Sequence, residues 1–369
     1  MIKPAVLVIG SSNTDLIIKA ERIPQPGETI LGGQFVRAAG GKGANQAVAA
    51  ARAGGAVTFI ARAGCAANGE AALAGFAADD INVKHIIRDR TSPSGVALIF
   101  VGKSGENSIA VASGANDKLS PTDVRKAKDA FRRARVVLLQ LETPLRTVAA
   151  SIALAAAAGV RVVLNPAPAR PLPANLLKRV YLLTPNESEA ELLTGVAVTS
   201  IAAVAKAAGK LLARGVQNVI ITMGSRGAFV AGKDLRQMIP GFKVSAVDAT
   251  GAGDVFNGAL VVVLAEGHSL LEAARFACAA AAISVTRFGA QSSAPTRKEI
   301  QAMLATGKVR RAVENGSSVP NAVERGLQPA SASGLREILP SARTSALQAL
   351  KRRERRAPSR HLLKVSHKK

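Results

Sequence analysis

Seven residues, Asp248 to Asp254, read DATGAGD and stand directly before an apolar run, VFNGALVVVLAEG. Small residues let a backbone turn tightly and bring its N–H groups close to a ligand. The helix expected to follow offers unsatisfied N–H groups and a positive dipole end. Gly251, Ala252 and Gly253 are therefore a candidate anion hole, bracketed by two carboxylates. Asp254 at the mouth of the hole could be a helix cap worth about 1 kcal/mol, or a base. Phosphoryl transfer needs both parts: N–H donors for the moving charge and a carboxylate within reach of the attacking hydroxyl. Asp248 is a candidate cation ligand, because hard cations favour carboxylate and carbonyl oxygens.

A second constellation is AAGGKGANQA, residues 38–47, in which Gly40, Gly41 and Gly43 surround Lys42 and Asn45 follows on a first helical turn. Exposed backbone beside an ammonium and an amide suits a polyhydroxyl ligand, although a plain turn before a helix accounts for the same residues. SSNTDLI, residues 11–17, follows the first strand and places Asn13 and Asp15 at a strand's carboxyl end, where open α/β sheets bind ligands. Glu142 in QLETPL stands in the same kind of position, as do Asn186, Glu187 and Glu189 in TPNESEAE. The pair Asn186 and Glu189 could hold waters of a magnesium ion, or simply open an acidic helix. All these groups follow strands, so they converge on one edge of a sheet. Other phosphate fingerprints are absent: Gly102-Lys103-Ser104 has Ala97 where a P-loop needs glycine, Gly227 to Lys233 is followed by Asp234, and a GxGxxG from Gly251 fails at Phe256. Cys65 and Cys278 lack a C-x-x-C neighbour, and the four histidines show no zinc spacing.

The elements that must position these residues are legible in outline. Apolar runs AVLVIG, VTFIA, RVVLLQL, VRVVLN, VYLLT and VIITM alternate with Ala-rich helical segments such as KGANQAVAAARAG and PLRTVAASIALAAAAG. That alternation predicts a doubly wound, mostly parallel central sheet with helices on both faces. Two stretches break the rhythm, about 14–37 and about 93–113, the second a hairpin turning at KSGEN; they are expected to form a small β-sheet lid. No apolar run has the length of a membrane span, PAVLVIG reads as a first strand rather than a signal peptide, and a cytoplasmic protein is expected. The chain carries a net charge of +24, yet Lys308 to Lys369 hold 15 Lys or Arg against 4 Asp or Glu. Residues 1–305 are thus read as one α/β domain and 306–369 as a basic, solvated tail. With no Trp, a single Tyr and no recognition motif, nucleic acid is not an expected partner.

Together these segments resemble the ribokinase branch of the PfkB-type carbohydrate kinase superfamily, from about Val6 to Ile300. GGKGANQA and DATGAGDVFNGAL resemble its two signatures, and SGVALIFV, LNPAPAR, TPNESEAE, ITMGSRG and AAAISVTRFGAQSSAP resemble further segments. NPAPA with GGKGANQA separates this branch from fructokinase- and adenosine-kinase-like relatives. The resemblance implies transfer of the ATP γ-phosphoryl group to O5 of D-ribose, and a homodimer formed through the lid. It assigns Asp254 as base and the N–H groups of Gly251, Ala252 and Gly253 as anion hole. Asn13, Asp15, Gly41, Lys42, Asn45 and Glu142 match sugar-contacting positions, with Lys42 also near the moving phosphoryl. Asn186, Thr222, Gly224, Ser225, Gly227, Gly253 and Cys278 match the nucleotide site. Glu189 matches a water-mediated Mg2+ position, and Asp248, Thr250, Ser284, Arg287, Gly289 and Ser293 match a K+ site, several through carbonyls. Cys65 and Ala66 replace a usual acidic pair, and Cys278 replaces a usual His or Asn near the adenine. A kinase for another sugar or nucleoside, or a kinase with a nucleic-acid-binding tail, are the alternatives.

Overall fold

The computed structural model describes residues 3–104 and 106–309; residues 310–369, and the tail expected there, lie outside the described residues. In chain order the strands are β1 Ala5–Ile9, β2 Asn13–Lys19, β3 Gln34–Gly40, β4 Ala56–Gly64, β5 Ile86–Asp89, β6 Gly95–Val101, β7 Asn107–Ala112, β8 Val136–Leu139, β9 Arg161–Leu164, β10 Leu182–Leu183, β11 Asn218–Thr222, β12 Gly227–Ala231 and β13 Arg236–Pro240. Nine of them form one sheet in the order β13-β12-β11-β10-β9-β8-β1-β4-β5. All neighbours are parallel except β12, which runs antiparallel to β11 and β13. The expected strand VYLLT pairs only through Leu182 and Leu183. β1 has β8 on one side and β4 on the other, so the winding reverses beside it, and the carboxyl ends of β1 and β8 open the crevice that this topology makes.

The helices are α1 Lys42–Arg52, α2 Ala67–Ala78, α3 Pro121–Lys126, α4 Lys128–Arg133, α5 Leu145–Ala157, α6 Ala174–Leu177, α7 Glu187–Thr194, α8 Ile201–Ala213, α9 Ala252–Glu266, α10 Leu270–Ser284 and α11 Arg297–Thr306. They divide by the alternation of strand side chains. Val6 and Val8 pack with α1, α2 and α9 to α11, while Leu7 and Ile9 point to the opposite face, covered by α3 to α8. A strand buried on both faces has no polar side to show, which is why β8 reads VVLL. On the first face Phe59 and Phe76 meet edge to face at 5.3 Å; each buried aromatic contributes roughly 1.5–3 kcal/mol.

Two features of this packing set up the site. First, α1 and α9 touch at Gly258, where a Cβ would lie 2.6 Å from both the Ala49 methyl and the Gln46 carbonyl oxygen. Only glycine lets the two backbones approach so closely. Second, α7, α8, α10 and α11 begin with side-chain caps, whereas α1 and α9 begin at Gly41 and Gly251 with none. Their first N–H groups are left for something else to satisfy.

The remaining four strands form a separate sheet in the order β3-β2-β6-β7, drawn from the two stretches, about 14–37 and about 93–113, expected to form a lid. β1 passes into β2 through residues 10–12, so the lid springs from the crevice itself. The pairing sets Asn13, Asp15, Ile17 and Lys19 on one face with Ala97, Ile99 and Val101. Leu16, Ile18, Leu98 and Phe100 take the other face, joined by Phe35 across from Ile18. Lys19 bridges back to the body, its Nζ 4.5 Å from the centre of the Phe288 ring.

Candidate active site

Asp254 lies at the third position of α9, not at its cap; the cap is Gly251, in the left-handed region at φ +73°. A side chain at Gly251 would strike Ala290, with Cβ 2.7 Å from the Ala290 methyl. Asp254 is 6% exposed, and neither carboxylate oxygen caps its own helix. Oδ2 accepts from Asn45 Nδ2 at 2.9 Å, and Oδ1 accepts from Gln46 Nε2 at 2.9 Å. Both donors sit on the first turns of α1, so the close α1–α9 contact delivers the amides to the carboxylate.

Three cavities meet around this group. The first, about 560 Å³, lies under the lid and is lined by Asn13, Asp15, Gly41, Lys42, Asn45, Glu142 and Asp254 among others. The second, about 480 Å³, is lined by Thr222, Gly224, Ser225, Gly227, Gly253 and Cys278. A third, about 180 Å³, joins them; Lys42, Asn186, Glu189, Ala252, Gly253 and Asp254 border it. Every sugar-contacting position expected from the sequence lines the first cavity, and the expected nucleotide positions line the second or third. Asp254 and the N-terminus of α9, which lacks a side-chain cap and whose Ala252 N–H donates to the Ala249 carbonyl, stand where the two large spaces communicate.

The first cavity is strongly polar at its floor. Glu142 Oε2 accepts from Ser11 Oγ at 2.5 Å and from the Lys42 N–H at 3.0 Å. Asn13 Oδ1 accepts from Asn116 Nδ2 at 2.7 Å, while Asn116 Oδ1 accepts from the Ser12 N–H. Burial, then the Glu142 and Asp254 charges, push the Asp15 carboxyl up to about 6, with Lys42 opposing. Asp254, and after it Glu142, hold Lys42 above the usual lysine range against the opposing effect of burial. Lys42 is thus a fixed positive charge between the carboxylates and the connecting cavity.

The other expected residues fall into place unevenly. Asn186 and Glu189 form a reciprocal capping box at the start of α7, with Asn186 Oδ1 accepting from the Glu189 N–H and Glu189 Oε2 from the Asn186 N–H, each at 2.8 Å. The charged-helix-start reading is therefore realised, yet the Glu189 carboxylate also borders the connecting cavity, and burial raises it above the ordinary range. Asp248 clips two loops together: its oxygens accept from the Thr250 and Gly289 N–H groups at 2.9 and 2.8 Å. Burial opposes these hydrogen bonds, but they hold Asp248 below the usual carboxylate range. Ser284 and Ser293 are buried and donate to the Ala281 and Ala290 carbonyls, and Arg287 pairs with Glu299. Ser284, Arg287, Gly289 and Ser293 border none of the three cavities. Burial pushes the Cys278 thiol up to about 12, so it is an inert wall of the second cavity.

Sequence reasoning missed the polar residues beneath the surface: Ser11, Gln46, Asn116, Gln140, Asn165 and Asn257. Thr184 Oγ1 donates to Asn257 Oδ1 at 2.6 Å, and Asn257 Nδ2 to the Gly253 carbonyl at 2.8 Å, bracing the turn of α9 from below. The available signal was a polar residue in a run of alanines, as with Gln46 in GANQAVAAA.

A model of the pfkB family of carbohydrate kinases matches residues 3–297. A ribokinase of Haemophilus influenzae is 47% identical over 297 residues, spanning 80% of this chain and 97% of that protein. A deoxyribokinase of Salmonella typhi is 37% identical over 300 residues, spanning 81% and 98%. Among solved structures, Arabidopsis thaliana ribokinase complexed with ribose and ATP superposes with a TM-score of 0.77 at 33% identity, covering 82% of this chain and 99% of that one. Carrying both signatures on a mostly parallel sheet with its four-stranded lid, the chain belongs to the pfkB family of carbohydrate kinases.

Proposed function

We propose that the chain transfers the γ-phosphoryl group of ATP to O5 of D-ribose. The observation that carries this reading is the carboxylate of Asp254, held by two amides at the passage between the cavity under the lid and the cavity beyond α9. Ribose occupies the first cavity, where Asn13, Asp15, Asn45 and Glu142 offer carboxylate and amide groups suited to a polyhydroxyl ligand. ATP occupies the second, its terminal phosphoryl at the uncapped first turn of α9. The O5–H bond breaks toward a carboxylate oxygen of Asp254, and the O5 electron pair forms the bond to phosphorus. The bond from phosphorus to the bridging oxygen breaks, and that electron pair leaves on ADP. The N–H groups of Gly251 to Gly253 and the Lys42 ammonium stabilise the charge on the moving group.

The donors around the connecting cavity fit a magnesium ion held through water, because Glu189 commits only Oε2 to its capping box. Asn186 and Glu189 would hold its waters, and the ion would supply charge neutralisation for the phosphates. A potassium ion behind the anion hole would be held by the matched set Asp248, Thr250, Ser284, Arg287, Gly289 and Ser293, several through carbonyls, where Asp248 joins the loop at Thr250 to the loop at Gly289. The outer face of the lid supports a homodimer: Phe35 is 63% and Leu98 50% exposed.

A second reading is phosphorylation of 2-deoxy-D-ribose, favoured by the similarity to a deoxyribokinase. A panel of ribose, 2-deoxyribose, hexoses and nucleosides assayed with ATP decides the substrate. Ribose should give the highest kcat/KM; a hexose or nucleoside in first place contradicts the proposal, and 2-deoxyribose in first place selects the second reading. Chelation by EDTA should abolish turnover, sodium in place of potassium should lower it, and Leu98→Glu should yield a monomer by light scattering. Indifference to either ion, or an unchanged oligomer, contradicts the corresponding assignment.

The position of Asp15 also predicts a pH dependence. Sugar hydroxyls donate best to an ionised carboxylate, so ribose binding favours the deprotonated form. Affinity should rise with pH through about 6 and level off above it. By calorimetry, binding at pH near 5 should be roughly tenfold weaker than near 7.5, and Asp15→Asn should flatten the change. Equal affinity of the unmodified protein at both values contradicts the role given to Asp15.

A further inference from the structure

We propose that Gln46, held in turn by Gln140, is a positioning residue that fixes the Asp254 carboxylate for proton transfer; this rests on the reading of Asp254 as the base. Gln46 is fully buried and borders none of the three cavities, so it touches neither sugar nor nucleotide. Both N–H bonds of its amide are committed: one to Asp254 Oδ1 at 2.9 Å, the other to Asn165 Oδ1 at 3.0 Å. Its carbonyl accepts from Gln140 Nε2 at 2.5 Å.

The direction of this chain of amides is set at both ends by groups that only accept. Asp254 is one end. At the other, Asn165 Nδ2 donates to the Thr184 backbone carbonyl at 3.1 Å, which turns the Asn165 carbonyl toward Gln46. A reversed Gln46 amide would set its oxygen against a carboxylate and an amide oxygen at once. Asn45 meanwhile holds Asp254 Oδ2. Adjacent residues of α1 thus pin one oxygen each, and a carboxylate pinned at both oxygens cannot rotate about its last bond.

Gln140 supplies the third observation. It follows β8, and its Oε1 is buried with no hydrogen-bond partner among the described residues. That oxygen occupies the space of a missing side chain, 2.0 Å from where a Cβ of Gly10 would be. A buried carbonyl without a donor destabilises a fold. The structure therefore keeps this side chain for its amide, whose one partner among the described residues is Gln46. The strand ends of β1, β8 and β9 together furnish a socket whose output is the orientation of one carboxylate.

The test uses the full chain with ribose and ATP, in steady-state kinetics alongside thermal melting. Gln46→Met keeps the length of the side chain and removes its donor. Gln46→Glu keeps its shape and replaces the donor with an acceptor. Both should lower kcat by about 10- to 100-fold, as a small misplacement of a reacting group does, with ribose and ATP KM within about threefold of the unmodified protein. Gln140→Met should lower kcat by roughly 3- to 10-fold alone and by nothing further in the Gln46→Met background, as expected of residues acting in series. Wild-type kcat in Gln46→Met, a loss confined to KM, or additive losses in the double variant overturns the proposal. If the Gln46 variants do not fold, Gln140→Met decides alone, and an unchanged kcat overturns it. Failure of the unmodified protein to phosphorylate any sugar overturns the parent reading, and this inference with it, before a variant is made.

Discussion

A buried carboxylate facing an anion-binding helix end is the constraint on which the rest of this molecule depends. Unaided, Asp254 would repel the phosphate it is to work beside, and its own burial would be costly. The fold offsets both with oriented dipoles rather than with a direct ion pair. Two α1 amides take one carboxylate oxygen each, the first turn of α9 faces the same space without a side-chain cap, and Lys42 adds a positive charge bound into the field of Asp254 and Glu142. These groups coincide only because α1 and α9 touch, and they touch because residue 258 is glycine.

The same economy separates the charges of the motif. Asp248 spends its oxygens on backbone N–H groups of two loops and so shapes the hole from behind. Asp254 turns toward the crevice. Asp15, on the lid, is the carboxylate that feels the crowding: burial and its two acidic neighbours hold its proton until about pH 6. A group so placed couples the lid to the charge state of the floor, because Asp15 rides on β2 while Glu142 and Asp254 belong to the body.

Much of this was legible in the sequence, for identifiable reasons. Parallel strands buried on both faces read as unbroken apolar runs, so the sheet declared itself, and residues placed just after those runs had to gather at one edge. The helix after DATGAGD was legible too, but that it starts at Gly251, and that Asp254 lies inside it rather than at its cap, came from the fold. The lid was legible as an interruption, although its register, which decides that Asp15 faces inward and Leu98 outward, depends on pairings that no local pattern specifies. The layer beneath the cavity was the least legible part. Gln46, Gln140, Asn165 and Asn257 come from α1, two strand ends and α9, and their partnership exists only in the folded chain. Asn186 and Glu189 show the reverse limit: one spacing encodes both a helix cap and a pair of oxygens at the connecting cavity, and the geometry carries both.

Replacing Asp254 by asparagine tests the central claim most directly. The substitution keeps the shape of the side chain but removes its capacity to take a proton. Turnover of ribose with ATP should fall by about 10²- to 10⁴-fold, while calorimetry still detects ribose binding to the variant. An Asp254→Asn protein that phosphorylates ribose at the unmodified rate would contradict the account.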